Sequence, residues 1–283
     1  MKGATPPASL ASPAAPALLD VRRLGISFGG LKAVQDFSLA LPDRALYGLI
    51  GPNGAGKTTV FNLLTGVYRP DTGRMSLAGV ELLGRKPEAI TAAGLARTFQ
   101  NIRLFGELSV LDNVRLACQV RGRHALWRTL VRTGQYLAQE AHYRQKALDL
   151  LAVFDLASLA DEPANSLSYG HQRRLEILRA LATEPKVLLL DEPAAGMNPN
   201  EKRELAQAIR GIRDRFQVAI LLIEHDMGLV MEICERITVL DQGQIISEGT
   251  PAEVQNCPRV IAAYLGVGGE KDPGSEKDLG SRI

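Results

Sequence analysis

The 283-residue sequence predicts one elaborated α/β domain, a parallel sheet flanked by helices, on three observations. Short continuous apolar runs at Ala45–Ile50, Val187–Leu190 and Val218–Ile223 have the length of strands buried on both faces. The first run leads through a glycine-rich turn into the helical pattern Lys57–Leu64. Helical periodicity from Val110 to Ala160 then separates it from the other two, so an α-helical insert interrupts the sheet. The length suits a single unit, since a domain takes ~100–200 residues and α/β architectures often run longer.

Taken in order, residues 1–17 are expected to form a disordered Pro/Ala-rich tail. Gly3 to Leu19 is uncharged, but Pro6, Pro7, Pro13 and Pro16 break any helix long enough to span lipid. Only Ala17-Leu18-Leu19 resembles the apolar centre of a signal peptide. From Leu18 onward Val21, Leu24, Ile26 and Phe28 give a mixed strand signal, and Val34, Phe37, Leu39 and Leu41 alternate as a half-buried strand does. An antiparallel β-rich opening follows. Ile237–Leu240 adds a last strand to the core, and the polar, glycine-rich stretch 266–283 reads as a second disordered tail.

Composition narrows the class further. With 46% hydrophobic and 23% charged residues the bulk of the chain is neither disordered nor coiled coil. Thirty-three basic against 31 acidic residues, a net charge of +2, is too balanced for a nucleic-acid coat. Cys118, Cys234 and Cys257 are far apart and form no CxxC or Cys/His cluster, which argues against a disulfide framework or a zinc site and for a reducing cytoplasm. No apolar run approaches the ~20 residues of a spanning helix, so the chain is not expected to cross a membrane itself.

Gly51-Pro-Asn-Gly-Ala-Gly-Lys-Thr58 has the form of a phosphate loop, placed between a strand and a helix as that motif requires. Glycines free backbone N–H groups to surround phosphates, and the helix start adds its positive dipole end. Lys57 is the point charge for the β- and γ-phosphates, and the Thr58 hydroxyl is an oxygen ligand for Mg²⁺. Val187 to Glu192 is an apolar strand ending in two carboxylates: Asp191 to orient Mg²⁺ and Glu192 to polarise an attacking water. Taken alone, such a pair is a turn with solvated charges; the phosphate loop gives it a purpose.

Two further segments are ambiguous by themselves. Glu224-His225-Asp226 follows a strand, where a lone His is a packed or capping residue, and strand alternation is expected to keep the three side chains from converging on a metal. Leu167-Ser-Tyr-Gly-His-Gln172 precedes an amphipathic helix in which Leu175, Leu178 and Ala182 share a face, so Ser168 is expected as its N-cap. A hydroxyl and the Gly170 N–H at a helix start also make a second anion site, far along the chain from the first.

The ordered set Gly51 to Thr59, Gln100, Leu167 to Gln172, Val187 to Glu192, Asn198 and His225 resembles the nucleotide-binding subunit of an ATP-binding-cassette transporter over residues 18–265. The resemblance implies a P-loop NTPase core, RecA-like, with an antiparallel β subdomain and an α-helical signature subdomain at about 101–180. It implies an ATPase using ATP and Mg²⁺, with two subunits packed head to tail so that Ser168 and Gly170 act on the partner's nucleotide. Phe28 stacks on adenine beside Val34, with plain core as the alternative for Phe28. Gly51, Asn53, Gly54, Gly56, Lys57, Thr58 and Thr59 hold the phosphates, Gln100 senses Mg²⁺ and couples to the membrane partner, and His225 contacts the γ-phosphate.

Tyr169, His171 and Asn198 depart from the general family pattern. Tyr169 and Asn198, with Ser27 to Val34, Arg97 to Phe105, Gln172 to Ile177, Gly249-Thr-Pro and Ala263 to Gly266, resemble the branched-chain amino-acid importer branch. That likeness implies a cytoplasmic subunit on the inner face of the membrane, paired with itself or with a second ATPase, a separate permease and, indirectly, a periplasmic binding protein. The stretch 118–146 matches the insert of the larger of that branch's two ATPases. It carries Arg121, Arg123, Arg128, Arg132, Arg144 and Lys146 against Glu140 alone, with Leu126, Leu130 and Leu137 at helical spacing. A surface near anionic headgroups and a solvated helix face are both open readings.

A soluble cassette ATPase acting on ribosomes or DNA is disfavoured, since the chain shows neither a second cassette nor a long coiled coil. A purely regulatory module would lack Glu192, and no Asn-Lys-x-Asp guanine motif is present. An ATPase for urea, other amino acids or lipopolysaccharide export remains the nearest alternative.

Overall fold

The computed structural model describes residues 17–100, 102–121 and 134–265. The tails expected at the two ends and the basic run 122–133, with Leu126 and Leu130, lie outside the described residues. Ala17, counted above with the tail, opens the first strand.

Two sheets organise the chain. β1 (Ala17–Phe28), β2 (Leu31–Pro42), β4 (Thr72–Leu77) and β5 (Val80–Glu81) form an antiparallel sheet in the order β2-β1-β4-β5. The second sheet contains β3 (Leu46–Ile50), β6 (Leu95–Arg97), β7 (Val187–Asp191), β8 (Ala219–Ile223), β9 (Arg236–Asp241) and β10 (Gln244–Gly249). Its order is β10-β9-β3-β8-β7-β6, parallel throughout except where β10 turns back on β9. Every residue of β3, β7 and β8 is buried, as continuous apolar runs require when both faces of a sheet are covered.

Side-chain alternation divides that burial between two layers. Leu49, Val187, Leu189, Leu221 and Ile223 point toward the antiparallel sheet and the phosphate-loop helix α1 (Lys57–Leu64), which contributes Val60, Phe61 and Leu64. Ile50, Leu188, Leu190, Ile220 and Leu222 point the other way, into a core shared with the helices that follow. Those helices are α2 (Pro87–Ala93), α3 (Val110–Cys118), α4 (Gly134–Val153), α5 (Tyr169–Ala182), α6 (Pro199–Phe216), α7 (Met227–Ile233), α8 (Pro251–Gln255) and α9 (Pro258–Leu265). Of these, α2 sends Ile90 to the first layer instead.

The helical insert is built as the periodicity predicts: α4 turns Tyr143, Ala147, Leu150 and Leu151 into the core. Leu137 lies off that face, 56% exposed. Lys146 is paired at 2.5 Å with Glu184 beyond the end of α5. The described end of the basic stretch thus includes a side chain bound to its own subdomain. Among the described residues no helix is long and apolar enough to cross a membrane.

Candidate active site

Four neighbouring strands, β3, β8, β7 and β6, deliver the predicted residues past their carboxyl ends, where open parallel sheets place ligands. The loop 51–56 follows β3, His225 follows β8, Asp191 and Glu192 close β7, and Gln100 follows β6. A residue separation of more than a hundred positions thereby becomes adjacency.

The loop's glycines answer close approaches. A Cβ on Gly51 would sit 2.0 Å from the carbonyl oxygen of Leu240, and one on Gly56, at φ +101°, would sit 2.7 Å from that of Ala33. Gly56 therefore starts α1 in a left-handed conformation that a side chain resists. Lys57, 7% exposed, donates to the carbonyl oxygens of Gly51 at 2.7 Å and Pro52 at 2.9 Å. Burial pulls its pKa below the ordinary lysine value, and the nearby Glu192 and Asp191 carboxylates oppose that shift. Asn53, Gly54 and Thr58 are exposed, with Thr59 half-buried at the start of α1.

Successive side chains of a strand point to opposite faces, so two adjacent carboxylates need a break in the backbone to serve one site. Glu192 supplies it: its φ is +46°, sparsely populated for a residue with a side chain and characteristic of functional positions. The Gln100 Nε2 donates to Glu192 Oε2 at 2.8 Å, and His225 Nδ1 lies 3.9 Å from the same oxygen. Asp191, by contrast, points into the protein, where Arg97 donates to its Oδ2 at 2.6 Å.

The Glu224-His225-Asp226 segment lies beyond the end of β8, so strand alternation is not what separates its side chains. Glu224, fully buried, accepts from the backbone N–H of Ala194 and of His225, and burial raises its pKa. Asp226 caps α7 through Leu229 N–H and is paired with Lys202 at 2.5 Å, which lowers its pKa. His225 alone remains open, at 60% side-chain exposure.

Two of the predicted elements lie apart from this cluster. Ser168 caps α5 as expected, accepting from the His171 N–H, and is exposed with Tyr169 and Gly170 along a cleft of about 840 Å³. That cleft runs toward Gly196, Met197 and Glu201 and includes no residue of the phosphate loop. Phe28 is 45% exposed at the end of β1, edge-on to Tyr68 at 5.3 Å, so it is not plain core, whereas Val34 is buried at 2%. Asn198 caps α6 in a reciprocal capping box with Glu201.

Sequence reading missed Arg173. Its guanidinium, 2% exposed, donates to the carbonyl oxygens of Phe99 (2.6 Å), Asp191 (2.9 Å) and Glu192 (3.0 Å) and to Glu176 Oε2 (2.5 Å). Glu176 Oε1 in turn accepts from the Phe99 N–H. One buried pair on the signature helix thus fixes the segments carrying Gln100 and both carboxylates. The available signal was its place in line with Ile177 and Ala180, at i+4 and i+7, on a second buried side of the helix away from Leu175 and Leu178.

Among the described residues no group of three His, Cys, Asp or Glu could hold a metal. The Thr58 hydroxyl, the Asp191 carboxylate and the Gln100 amide oxygen are too few for a protein cage, but they suit Mg²⁺, which retains waters and binds through one or two protein oxygens plus substrate phosphates.

Comparison with known proteins gives the same direction. The ABC transporter family profile matches residues 34–195, and a profile described as branched-chain amino acid ATP-binding cassette transporter matches residues 244–270. The chain belongs to the ABC transporter ATP-binding proteins. It is 46% identical over 249 residues to the high-affinity branched-chain amino acid transport ATP-binding protein LivG of Salmonella typhimurium, covering 88% of this chain and 98% of that one. It is 43% identical over the same share of each chain to BraF of Pseudomonas aeruginosa, a protein of the same description. Among solved structures, the ADP conformation of MJ1267, an ATP-binding cassette of an ABC transporter, superposes with a TM-score of 0.77 at 29% identity, covering 88% of this chain and 98% of that one. As an ABC transporter ATPase, the chain couples ATP hydrolysis to transport.

Proposed function

We propose that this ABC ATPase energises import of branched-chain amino acids through a separate membrane permease, with Glu192 as the group that polarises the attacking water. The observation that carries the catalytic part is the convergence of Gln100 and His225 on one Glu192 oxygen, at 2.8 and 3.9 Å, at the end of the sheet that also carries the phosphate loop. The profile match over residues 244–270 and the relatives' names support the amino-acid class.

In this reading the backbone N–H groups of 51–56 and the start of α1 hold the β- and γ-phosphates, Lys57 exchanges its two loop carbonyls for phosphate oxygens, and Phe28 lies against adenine, backed by Val34. Thr58, Asp191 and Gln100 would hold Mg²⁺, which would supply neutralising charge beside the phosphates. Glu192 accepts the water proton, His225 steadies the γ-phosphate, and Arg173 keeps the Asp191–Glu192 backbone at a fixed height. Ser168 and Gly170 face outward on a cleft of their own, as a pair meant for a second subunit's nucleotide would.

A groove of about 690 Å³ lined by Val67, Phe99, Arg103, Phe105, Leu116 and Val120 opens beside Gln100. Its apolar wall, one residue from Gln100, supports docking of a cytoplasmic permease segment there, and with it a subunit that works at the inner membrane face. The decisive test is Glu192→Gln: ATP binding is expected to persist while phosphate release falls by about a hundredfold or more. Phosphate release at the parental rate would refute the assignment.

A further inference from the structure

We propose that Arg97 is a positioning residue that serves as resident counter-cation of the Asp191 carboxylate and weakens the site's grip on a divalent metal, a reading that rests on the metal role proposed for Asp191. The two side chains are 6% and 4% exposed, and an ionised carboxylate so deeply buried requires a cation beside it. Arg97 closes β6 directly beside β7 and meets Asp191 across that pairing.

The guanidinium does not grip the carboxylate with both arms, as a purely structural Arg–Asp pair tends to. One Nη donates to Asp191 Oδ2 at 2.6 Å, while the other is spent on Asn62 Oδ1 at 2.7 Å, on the phosphate-loop helix. Its plane is held over the rings of Phe61, at 5.4 Å, and Phe99, at 5.2 Å. Nε has no hydrogen-bond partner. The residue is thus fixed from three elements so that it takes one oxygen of the carboxylate, which in the reading above would also serve the metal.

Electrostatics gives the consequence. Between nucleotides, Lys57 and Arg97 balance Asp191 and Glu192, so the site is near neutral. A resident single positive charge within a few ångströms of a divalent ion would weaken that ion's binding by on the order of tenfold, even at water-like screening. Arg97 therefore favours release of the metal with spent nucleotide.

The test is Mn²⁺ binding to the ADP complex, followed by electron paramagnetic resonance. Arg97→Met is expected to bind Mn²⁺ about tenfold tighter, Arg97→Lys to stay within about twofold of the parent because the charge remains, and ADP affinity in chelator to be unchanged in both. If Arg97→Met does not fold, Arg97→Gln keeps a donor to Asp191 without the charge and should shift in the same direction. Mn²⁺ affinity equal to or weaker than the parent's in a folded neutral variant overturns the proposal. Asp191→Asn, run in parallel, separates the two claims: weakened Mn²⁺ binding there upholds the metal role of Asp191 whatever Arg97 does, and unchanged binding removes that role.

Discussion

Arg173 holds three carbonyl oxygens and one carboxylate, so its loss exposes a chain of unsatisfied groups. Arg173→Met should lower stability by about 3–5 kcal/mol, because Glu176 is left buried and uncompensated; burial already drives that carboxyl's pKa upward against the pull of Arg173. Removing the second charge as well, in Arg173→Met/Glu176→Leu, should recover much of the urea midpoint. It should not recover ATPase activity, since the carbonyls of Asp191 and Glu192 stay unheld; full recovery of both would show the pair to be structural only. The contrast with the motif residues explains what the sequence reveals at this scale. Gly51 to Thr58 form a site out of neighbours, so their chemistry is local and visible. Arg97 and Asp191 are 94 positions apart and Arg173 and Phe99 are 74, so only the sheet order brings them together.

At the scale of elements, α5 begins with a residue that has two separable duties. Ser168 satisfies an orphan N–H at the helix start, a cap worth about 1 kcal/mol, and faces outward where a partner's phosphate is proposed to bind. Ser168→Asp caps as well as serine, so its thermal midpoint should match the parent's, while the added negative charge should abolish ATP-dependent association. Ser168→Ala should instead lose about 1 kcal/mol and only part of that association. An unaltered association constant in Ser168→Asp would leave the helix start as a cap and nothing more. The elements legible in advance are those with a continuous apolar run or a local period: β1, β2, β3, β7, β8, β9, α1, α3, α4 and α5. β4, with its sequence Thr-Gly-Arg-Met-Ser-Leu, and the two- or three-residue β5 and β6 carry no such signal, and β10 buries only its last residue fully. These strands exist because a neighbouring strand supplies their hydrogen bonds, which no local pattern records.

At the scale of the whole molecule, the phosphate loop and the Ser168–Gly170 segment lie on separate surfaces of one subunit, which leaves a site that is half-built twice. The proposed head-to-tail pairing would complete both halves, and it can be distinguished from completion within one chain by mixing damaged subunits. Lys57→Ala is expected to abolish nucleotide retention through its own phosphate loop, and Ser168→Asp to abolish it through the partner's. In a mixed dimer of the two, placed in a Glu192→Gln background to block turnover, one composite site contains both lesions and the other contains neither. That dimer should trap one ATP, whereas each homodimer should trap none, as read by light scattering with labelled nucleotide. A model in which each chain uses its own Ser168 gives no intact site in any of the three. One trapped ATP in the mixture alone therefore assigns the second anion site to a neighbouring subunit, and none in any combination assigns it to the same chain.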